Sequence, residues 1–285
     1  MNIIRAEVMG LCFGVRDALK AIDTVADPQH VTIHGQLVHN EAILSGLEQR
    51  GFAMSSETRR GGIPVTPAVL ITAHGISDRE RARLSSAGKR LIDTTCPLVT
   101  RVHEAARRLA DDGCHVVVIG RRDHVEVRGI VEDLERFDIV ESVDEVRDYQ
   151  VNRLGIVCQT TAPSHLVERI RARVAERNPA AEIRFIDTVC LPTKEHQRSL
   201  ERLLERVEAV VVVGGRNSNN TRELATLCRN RGVPSFHVQS AEDLEPEWFR
   251  GLETIGLTAG TSTLDSTIDE VQQALERISV EAGVA

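Results

Sequence analysis

The stretch Asp93-Thr94-Thr95-Cys96-Pro97 follows an apolar segment and precedes a helical pattern. It recurs as Asp187-Thr188-Val189-Cys190-Leu191-Pro192 in the same local setting. A third version, Met9-Gly10-Leu11-Cys12-Phe13-Gly14, lies between residues 3–8 and a helical pattern that begins near Val15. We interpret these three cysteine segments as equivalent positions of a threefold repeat.

The similarity among the three segments continues after each cysteine. A helical pattern leads to a strand ending in glycine, then to a polar cluster that opens a second helix. A second strand follows and ends in small or polar residues. The polar clusters are His39-Asn40, His124-Val125-Glu126 and Asn217-Ser218-Asn219-Asn220-Thr221, and the later strands end at Ala73-His74-Gly75, Gln159-Thr160-Thr161 and Gly260-Thr261-Ser262-Thr263. The repeat predicts three units, residues 1–95, 96–189 and 190–285.

Short runs rich in valine and isoleucine alternate with amphipathic stretches along the chain. The runs are residues 31–33, 69–71, 116–119, 154–157, 210–213 and 254–257, and the amphipathic stretches include residues 99–109, 164–176, 193–207 and 221–231. Continuous apolar runs are typical of parallel strands buried on both faces. The alternation therefore predicts an α/β fold of three tandem units joined by right-handed crossovers, with parallel sheets arranged around a central metal cluster.

Composition excludes several classes of protein. The 285 residues carry a formal net charge of −7 and are only 3% aromatic, which argues against nucleic-acid and membrane partners. No segment approaches the ~20 apolar residues of a membrane span, and the N-terminus lacks a signal pattern, so we expect a cytoplasmic protein. Six cysteines are too few for a disulfide scaffold, which favours metal-binding or redox roles for those that matter.

The three repeated cysteines are predicted to hold one metal centre. In parallel α/β units the loops after the carboxyl ends of the strands form the binding crevice, so Cys12, Cys96 and Cys190 are expected to converge. Each precedes a helix, whose N-terminus favours the thiolate form that binds metal. Three ligands leave one coordination position open, as in catalytic centres, and an iron–sulfur cluster is the preferred interpretation.

The other three cysteines, Cys114, Cys158 and Cys228, lie on strand or helix patterns. A lone cysteine in such a place is most often a small buried apolar residue. We therefore expect these three side chains to pack in the core.

Polar residues of the repeat predict an anion site with a proton donor. His39, His74 and His124 stand beside loops, and Ser218, Asn219, Asn220 and Ser262 can donate to phosphate oxygens. Helix starts bind phosphate, although the same residues would also serve as simple N-caps. Burial near an anion would raise the pKa of Glu126 and suit it to proton donation, whereas an exposed carboxylate at a helix start is the alternative.

Dinucleotide and nucleotide motifs are missing. No complete G-x-G-x-x-G or Walker A pattern appears in the expected strand–helix context. A nicotinamide, flavin or ATP site is thus not supported, and any electrons should come from an external donor.

These residues resemble the LytB (IspH) family of 4-hydroxy-3-methylbut-2-enyl diphosphate reductases over nearly the whole chain. The resemblance rests on Gly10-Leu11-Cys12-Phe13-Gly14-Val15, Val38-His39-Asn40, Ala73-His74-Gly75, Asp93-Thr94-Thr95-Cys96-Pro97-Leu98-Val99-Thr100, His124-Val125-Glu126, Gln159-Thr160-Thr161, Asp187-Thr188-Val189-Cys190, Gly214-Gly215-Arg216-Asn217-Ser218-Asn219-Asn220-Thr221 and Thr258-Ala259-Gly260. The family usually has Gly-His-x-x-His-Pro-Glu around its acid and Ala-Gly-Ala-Ser-x-Pro in its last site loop. Here those segments are residues 120–126 and 259–264, without the first His and without either Pro.

The resemblance implies a reductive dehydroxylation. A [4Fe–4S] cluster on Cys12, Cys96 and Cys190 would keep one iron open for the allylic hydroxyl of the substrate. Two electrons and two protons would release water and give isopentenyl and dimethylallyl diphosphate, the last step of the methylerythritol phosphate pathway. The resemblance also implies that ferredoxin or flavodoxin supplies the electrons.

The resemblance assigns roles to individual site residues as well. Glu126 would deliver protons, and Thr160 would orient the substrate hydroxyl. His124 would bind the diphosphate or lie in the proton path. The other expected diphosphate contacts are His39, His74, Ser218, Asn219, Asn220 and Ser262.

Three other functions stay open from the sequence. A paralogue could keep the cluster and reduce a different hydroxylated anion. A non-enzymatic iron–sulfur sensor would need the cysteines but neither Glu126 nor the histidines. A zinc hydrolase could use the same three cysteine ligands.

Overall fold

The computed structural model describes residues 1–55 and 62–283. Within these residues, most strands lead into an α-helix, in line with the alternation that the sequence predicts. The strands are β1 (Asn2–Arg5), β2 (Val31–His34), β3 (Ala53–Met54), β4 (Ala68–Ile71), β5 (Arg90–Asp93), β6 (His115–Ile119), β7 (Phe137–Val140), β8 (Arg153–Cys158), β9 (Glu182–Phe185), β10 (Ala209–Val213), β11 (Ser235–Val238) and β12 (Thr254–Ala259). The α-helices are α1 (Phe13–Asp23), α2 (Glu41–Gln49), α3 (Asp78–Ser86), α4 (Pro97–Asp111), α5 (Val125–Val131), α6 (Ser164–Arg177), α7 (Leu191–Leu204), α8 (Asn219–Asn230) and α9 (Asp265–Gly283).

The described strands form three four-stranded sheets, and every pairing in them is parallel. Their orders are β3-β2-β4-β5, β7-β6-β8-β9 and β11-β10-β12-β1. In each sheet the strand that leads to a cysteine lies at one edge: β5 before Cys96, β9 before Cys190 and β1 before Cys12. The α/β fold class is therefore confirmed, and the repeated order of events reappears as a repeated sheet topology.

The N-terminal strand pairs far along the chain. In β1, Ile3 pairs with Ile255 of β12, so residues 2–5 complete the sheet that β10, β11 and β12 begin. Sheet membership thus runs from each cysteine to the strand before the next one, and the last sheet closes on the first residues of the chain. The division at residues 95/96 and 189/190 stays a prediction.

The central strands show why the apolar runs predict the fold. All five residues of β10 are buried, and so are the last four of β6. A strand covered on both faces needs apolar side chains at every position, because neither face meets water. Helices cover both faces of this sheet. Alternate residues of β6 and β8 belong to two separate apolar clusters, one with Leu109 of α4 and the other with Ile170 of α6.

The chain forms two compact units. One contains Met1–Val15, His39–Ala42 and the described residues from Leu191 onward. The other contains Arg16–Val38 and the described residues of Ile43–Cys190. The sheet with β1 belongs to the first unit, and the other two sheets belong to the second. None of the helices in the described ranges combines the length and apolar character that a bilayer span requires.

Candidate active site

Two threonine hydroxyls give the repeated Asp-Thr-x-Cys segments their shape. Thr94 Oγ1 donates to the carbonyl oxygen of Ile71, the last residue of β4, at 2.6 Å. Thr188 Oγ1 donates to the carbonyl oxygen of Cys158, the last residue of β8, also at 2.6 Å. Each hydroxyl ties the chain to the carboxyl end of the neighbouring strand, two residues before a cysteine. The similarity of the two segments therefore has a structural cause.

The backbone amides of the three repeated cysteines make equivalent hydrogen bonds. Each N–H donates to the carbonyl oxygen two residues beyond the end of the neighbouring strand. The pairs are Cys12 with Thr261 (3.1 Å), Cys96 with Ala73 (3.1 Å) and Cys190 with Thr160 (2.9 Å). All three cysteines consequently lie at the carboxyl ends of parallel strands, where α/β folds place their binding sites.

Each of these cysteines directly precedes a helix, as the sequence predicts. Cys96 is the N-cap of α4, whose first residue is Pro97, and Cys12 and Cys190 come directly before α1 and α7. The partial positive charge of a helix N-terminus stabilises a thiolate. All three residues are partly exposed. Their setting suits metal ligation.

The other cysteines lie in the core, as expected. Cys114, Cys158 and Cys228 are at most 1% exposed. Burial raises the pKa of the Cys114 thiol and raises that of Cys228 to about 12. Such thiols stay protonated and make poor metal ligands.

Glu126, Thr160 and Cys190 form one hydrogen-bonded chain in the second unit. The Glu126 Oε1 atom accepts from the Thr160 amide at 2.6 Å, and Oε2 accepts from Thr160 Oγ1 at 2.8 Å. The Thr160 carbonyl in turn accepts the Cys190 amide at 2.9 Å. One threonine therefore connects the predicted proton donor to a predicted metal ligand.

The Glu126 carboxyl is a buried acid rather than an exposed helix-start carboxylate. It lies in the first turn of α5 and is 2% exposed. Burial raises its pKa to about 7, and the two hydrogen bonds from Thr160 oppose this rise. A carboxyl group with that pKa is partly protonated at neutral pH and can both give up and regain a proton.

His124 lies two residues before this acid, and its ring contacts that of His74. Their rings meet edge to face with centroids 5.6 Å apart. His124 is the N-cap of α5, and its Nδ1 accepts from the Glu126 amide at 3.2 Å. In the neutral ring the proton therefore resides on Nε2, which is a hydrogen-bond donor.

Asn220 presents a buried amide in the first unit. Its Oδ1 accepts from the Thr261 amide at 3.0 Å, and the residue is 2% exposed. Its Nδ2 has no hydrogen-bond partner among the described residues. Because a buried donor without an acceptor is costly, this atom is suited to an anionic ligand. Ser218 caps α8 by accepting from the Thr221 amide at 3.3 Å, so capping and anion binding are compatible.

His39 and Ser262 are brought beside the same loops of the first unit. Ser262 Oγ donates to the His39 carbonyl at 3.5 Å, and Asn40 Nδ2 donates to the Ser262 carbonyl at 2.8 Å. Residues 39–40 approach Gly215 so closely that a Cβ atom on Gly215 would lie 2.2 Å from the His39 carbonyl oxygen. Residues 39–40, 214–220 and 261–262 therefore meet at the carboxyl ends of β10 and β12.

Comparison with known proteins identifies the family of this chain. The model of the LytB protein family matches residues 3–276. The chain belongs to the LytB family. A relative from Aquifex aeolicus, named 4-hydroxy-3-methylbut-2-enyl diphosphate reductase, is 33% identical over 98% of this chain and 97% of its own length. A relative of the same name from Geobacter sulfurreducens is 33% identical over 98% of this chain and 97% of its own.

Solved structures are similar as well. One of (E)-4-hydroxy-3-methyl-but-2-enyl diphosphate reductase, described as the terminal enzyme of the non-mevalonate pathway, covers 97% of this chain and 99% of its own at 32% identity, with a TM-score of 0.66. A second, the corresponding reductase from Plasmodium falciparum, covers 97% and 87% at 25% identity, with a TM-score of 0.86. Both therefore share the LytB fold over nearly the full chain.

Two side chains to which the sequence motifs assigned no role also shape the site of this LytB chain. Asn40 donates from Nδ2 to the Ser262 carbonyl oxygen. Gln159 is fully buried, and its Oε1 accepts the amide of Arg121 at 3.0 Å, so it anchors the loop that leads to His124. Both residues stand beside predicted site residues in the motifs, and that adjacency is the available signal. Their backbone-directed bonds depend on the packing of distant loops.

Proposed function

We propose that this protein reduces 4-hydroxy-3-methylbut-2-enyl diphosphate to isopentenyl diphosphate and dimethylallyl diphosphate. The reaction replaces the allylic hydroxyl by hydrogen, consumes two electrons and two protons, and releases water. Membership of the LytB family and the names of full-length relatives support this proposal. The alternative is a paralogue that reduces a different hydroxylated anion, and a turnover assay distinguishes the two.

The pairing of Glu126 with Thr160 is the observation that carries the proposal. A hydroxyl leaves readily only as water, so the reaction needs an acid beside the departing oxygen. Glu126 is buried, has a pKa of about 7 and bonds the Thr160 hydroxyl through Oε2 at 2.8 Å. When Glu126 is protonated on Oε2, the direction of this bond reverses: Oε2 donates to Thr160 Oγ1, and the threonine hydroxyl hydrogen is free to donate to the substrate oxygen. His124, whose neutral ring donates from Nε2, would assist by holding the substrate or the proton.

Cys12, Cys96 and Cys190 are the proposed ligands of a [4Fe–4S] cluster with one open iron. Their fit rests on the equivalent amide hydrogen bonds, the helix N-termini and the partial exposure of all three residues. When bound, the cluster would supply the two electrons and a Lewis-acidic iron. A ferredoxin or flavodoxin is the proposed source of those electrons.

The diphosphate is the proposed ligand of the histidine, serine and asparagine side chains. These residues are His39, His74, His124, Ser218, Asn219, Asn220 and Ser262. The clearest support is Asn220, whose buried Nδ2 lacks an acceptor among the described residues and would gain one from a phosphate oxygen. The start of α8 adds backbone N–H groups and a favourable dipole for the same charge.

Anaerobic turnover with a chemical reductant tests the proposal. Iron and sulfide analysis, the visible spectrum and product analysis are combined for the purified protein. We expect iron and sulfide with a brown absorption, a spectral change on adding the diphosphate, and both isomeric products. Equal turnover of the dephosphorylated alcohol would refute the diphosphate site. Zinc in place of iron, or a cluster without turnover, would favour the hydrolase or the sensor.

A further inference from the structure

Helix α7 begins directly after Cys190 and carries buried polar side chains on one face, among them His196 and Ser199. His196 is 3% exposed and Ser199 is 1% exposed. Residues three apart lie on the same side of a helix, so both side chains face the same neighbour. Polar groups at such depth need hydrogen-bond partners, and their partners reveal what the helix holds.

Both side chains bond the backbone that leads to Cys12. His196 Nε2 lies 3.1 Å from the Gly10 carbonyl oxygen, and Ser199 Oγ accepts from the Val8 amide at 2.9 Å. Residues 8–10 and α7 all belong to the first compact unit. Helix α7, which begins directly after the proposed ligand Cys190, is therefore hydrogen-bonded to the segment that leads to the proposed ligand Cys12.

The backbone at Gly10 has an unusual conformation and little free space around it. Gly10 has a φ of +81°, a conformation that favours glycine. A Cβ atom there would lie 3.0 Å from Ile268 Cδ1 and 3.1 Å from Asp265 Oδ1. On the other side, the Cys12 amide bonds the Thr261 carbonyl at 3.1 Å. The segment is thus enclosed between α7, the start of α9 and the end of β12.

The second ring nitrogen of His196 has a local partner. Nδ1 lies 2.8 Å from the carbonyl oxygen of Pro192, one turn earlier in α7. A carbonyl oxygen only accepts, so each contact needs an N–H on the ring, and the neutral ring has one. The two nitrogens therefore compete, and only the Nε2 contact reaches the Cys12 segment.

We propose that His196 is a positioning residue for the metal centre and that its ring carries a proton on Nε2: donating from Nε2 to the Gly10 carbonyl, it holds the segment that carries Cys12 against the helix that follows Cys190. This inference rests on the proposed function, since it assumes that Cys12 is a ligand. Both ring nitrogens of His196 face backbone carbonyl oxygens, so this role is one of positioning and not of ligation. Its loss would let the Cys12 segment move away and would speed the release of the cluster.

Two amide substitutions separate the two ring contacts. In His196→Gln the side-chain nitrogen reaches about as far as Nε2, so the variant keeps a donor for Gly10. In His196→Asn the nitrogen reaches about as far as Nδ1, so the variant keeps only the Pro192 contact. Both are neutral and of similar polarity. Any difference between them therefore reports the bond to Gly10.

The experiment follows loss of the iron–sulfur absorption from anaerobic holoprotein after addition of an iron chelator. We expect His196→Asn to lose the cluster about tenfold faster than the wild type, which corresponds to ~1.4 kcal/mol, and His196→Gln to stay near the wild-type rate. Wild-type rates for both variants, or equal acceleration of both, would overturn the inference.

Amide hydrogen exchange of the metal-free protein gives a second readout. The peptide containing residues 8–12 should exchange faster in His196→Asn than in His196→Gln, while peptides from β6 and β8 exchange alike in both. Equal exchange of the 8–12 peptide in both variants would count against the inference. A wild type that binds no cluster would instead refute the proposed function, so the two failures are distinguishable.

Discussion

Replacing Glu126 by glutamine removes the proposed acid and little else. The glutamine Oε1 can accept the Thr160 amide as the carboxylate does, and its Nε2–H₂ can donate to Thr160 Oγ1. Packing of α5 should therefore survive the change. What disappears is the titratable proton of a buried group.

The size of the effect follows from the pKa and from the role. General acid catalysis contributes about 10²–10⁴-fold to a rate, so we expect kcat of Glu126→Gln to fall within that range. In the wild type, the protonated fraction of Glu126 declines above its pKa of about 7. The wild-type kcat should thus fall as pH rises from 7 to 9, by roughly tenfold for each pH unit beyond the pKa.

Stability should change with pH in the same direction. The folded protein holds the Glu126 proton more tightly than the unfolded chain, because burial raises the pKa from 4.5 to about 7. The stabilisation is fully present below pH 4.5 and is lost as pH rises through 7. Between pH 5 and pH 8 the wild type should lose about 2–3 kcal/mol of unfolding free energy relative to Glu126→Gln.

Anaerobic product formation and urea unfolding of the metal-free proteins measure these effects. Asp123→Asn is the matched control, since Asp123 is an exposed carboxylate in the same loop. It should keep wild-type activity and the wild-type pH profile. Full activity of cluster-loaded Glu126→Gln, or a wild-type profile that stays flat up to pH 9, would refute the acid role.

Three further substitutions test the rest of the site. Thr160→Val removes a hydroxyl bond that lowers the pKa of Glu126, so kcat should fall and the alkaline limb of the pH–rate profile should move to higher pH; an unmoved limb would contradict the pairing. Asn220→Asp keeps an acceptor for Thr261 but replaces the buried donor by a charge that repels phosphate. KM for the diphosphate should rise about 10–100-fold while kcat changes less, and an unchanged KM would argue against this contact. Gly215→Ala places a Cβ atom 2.2 Å from the His39 carbonyl oxygen, so thermal unfolding should show a free energy of unfolding lower by about 1–3 kcal/mol. The control Gly46→Ala, whose Cβ has nothing within 4 Å, should not lower the free energy of unfolding.

The fold was predictable where burial is uniform along a strand. The run at β10 is apolar at every position, and all five of its residues are buried. The positions of Cys96 and Cys190 before helices were also predictable, because strand, turn and helix follow one another in the chain. The pairing of Ile3 with Ile255 was not, since nothing within the first residues indicates a partner at the far end.

The sequence predicts which residue types form the site, but it does not predict which of them contact one another. The repeat singled out Glu126 and Thr160, yet their hydrogen bonds join positions 34 residues apart in the chain. The buried state of Glu126, and with it a pKa near 7, depends on the packing of α5 against the rest of its unit. His196 attracted no notice in the sequence, because its partner Gly10 lies 186 residues away.

From the residues alone one can predict the parallel α/β units, the three cysteines at helix starts and the set of polar residues around the strand ends. These features come from local periodicity and from repetition, which are written in neighbouring residues. The packed structure was needed to show that Thr160 bonds both Glu126 and Cys190 and that the Asn220 amide nitrogen is buried without an acceptor among the described residues. The contacts of α7 with the Cys12 segment likewise appear only there. Hydrogen bonds between distant loops form when whole sheets pack, so no local pattern records them.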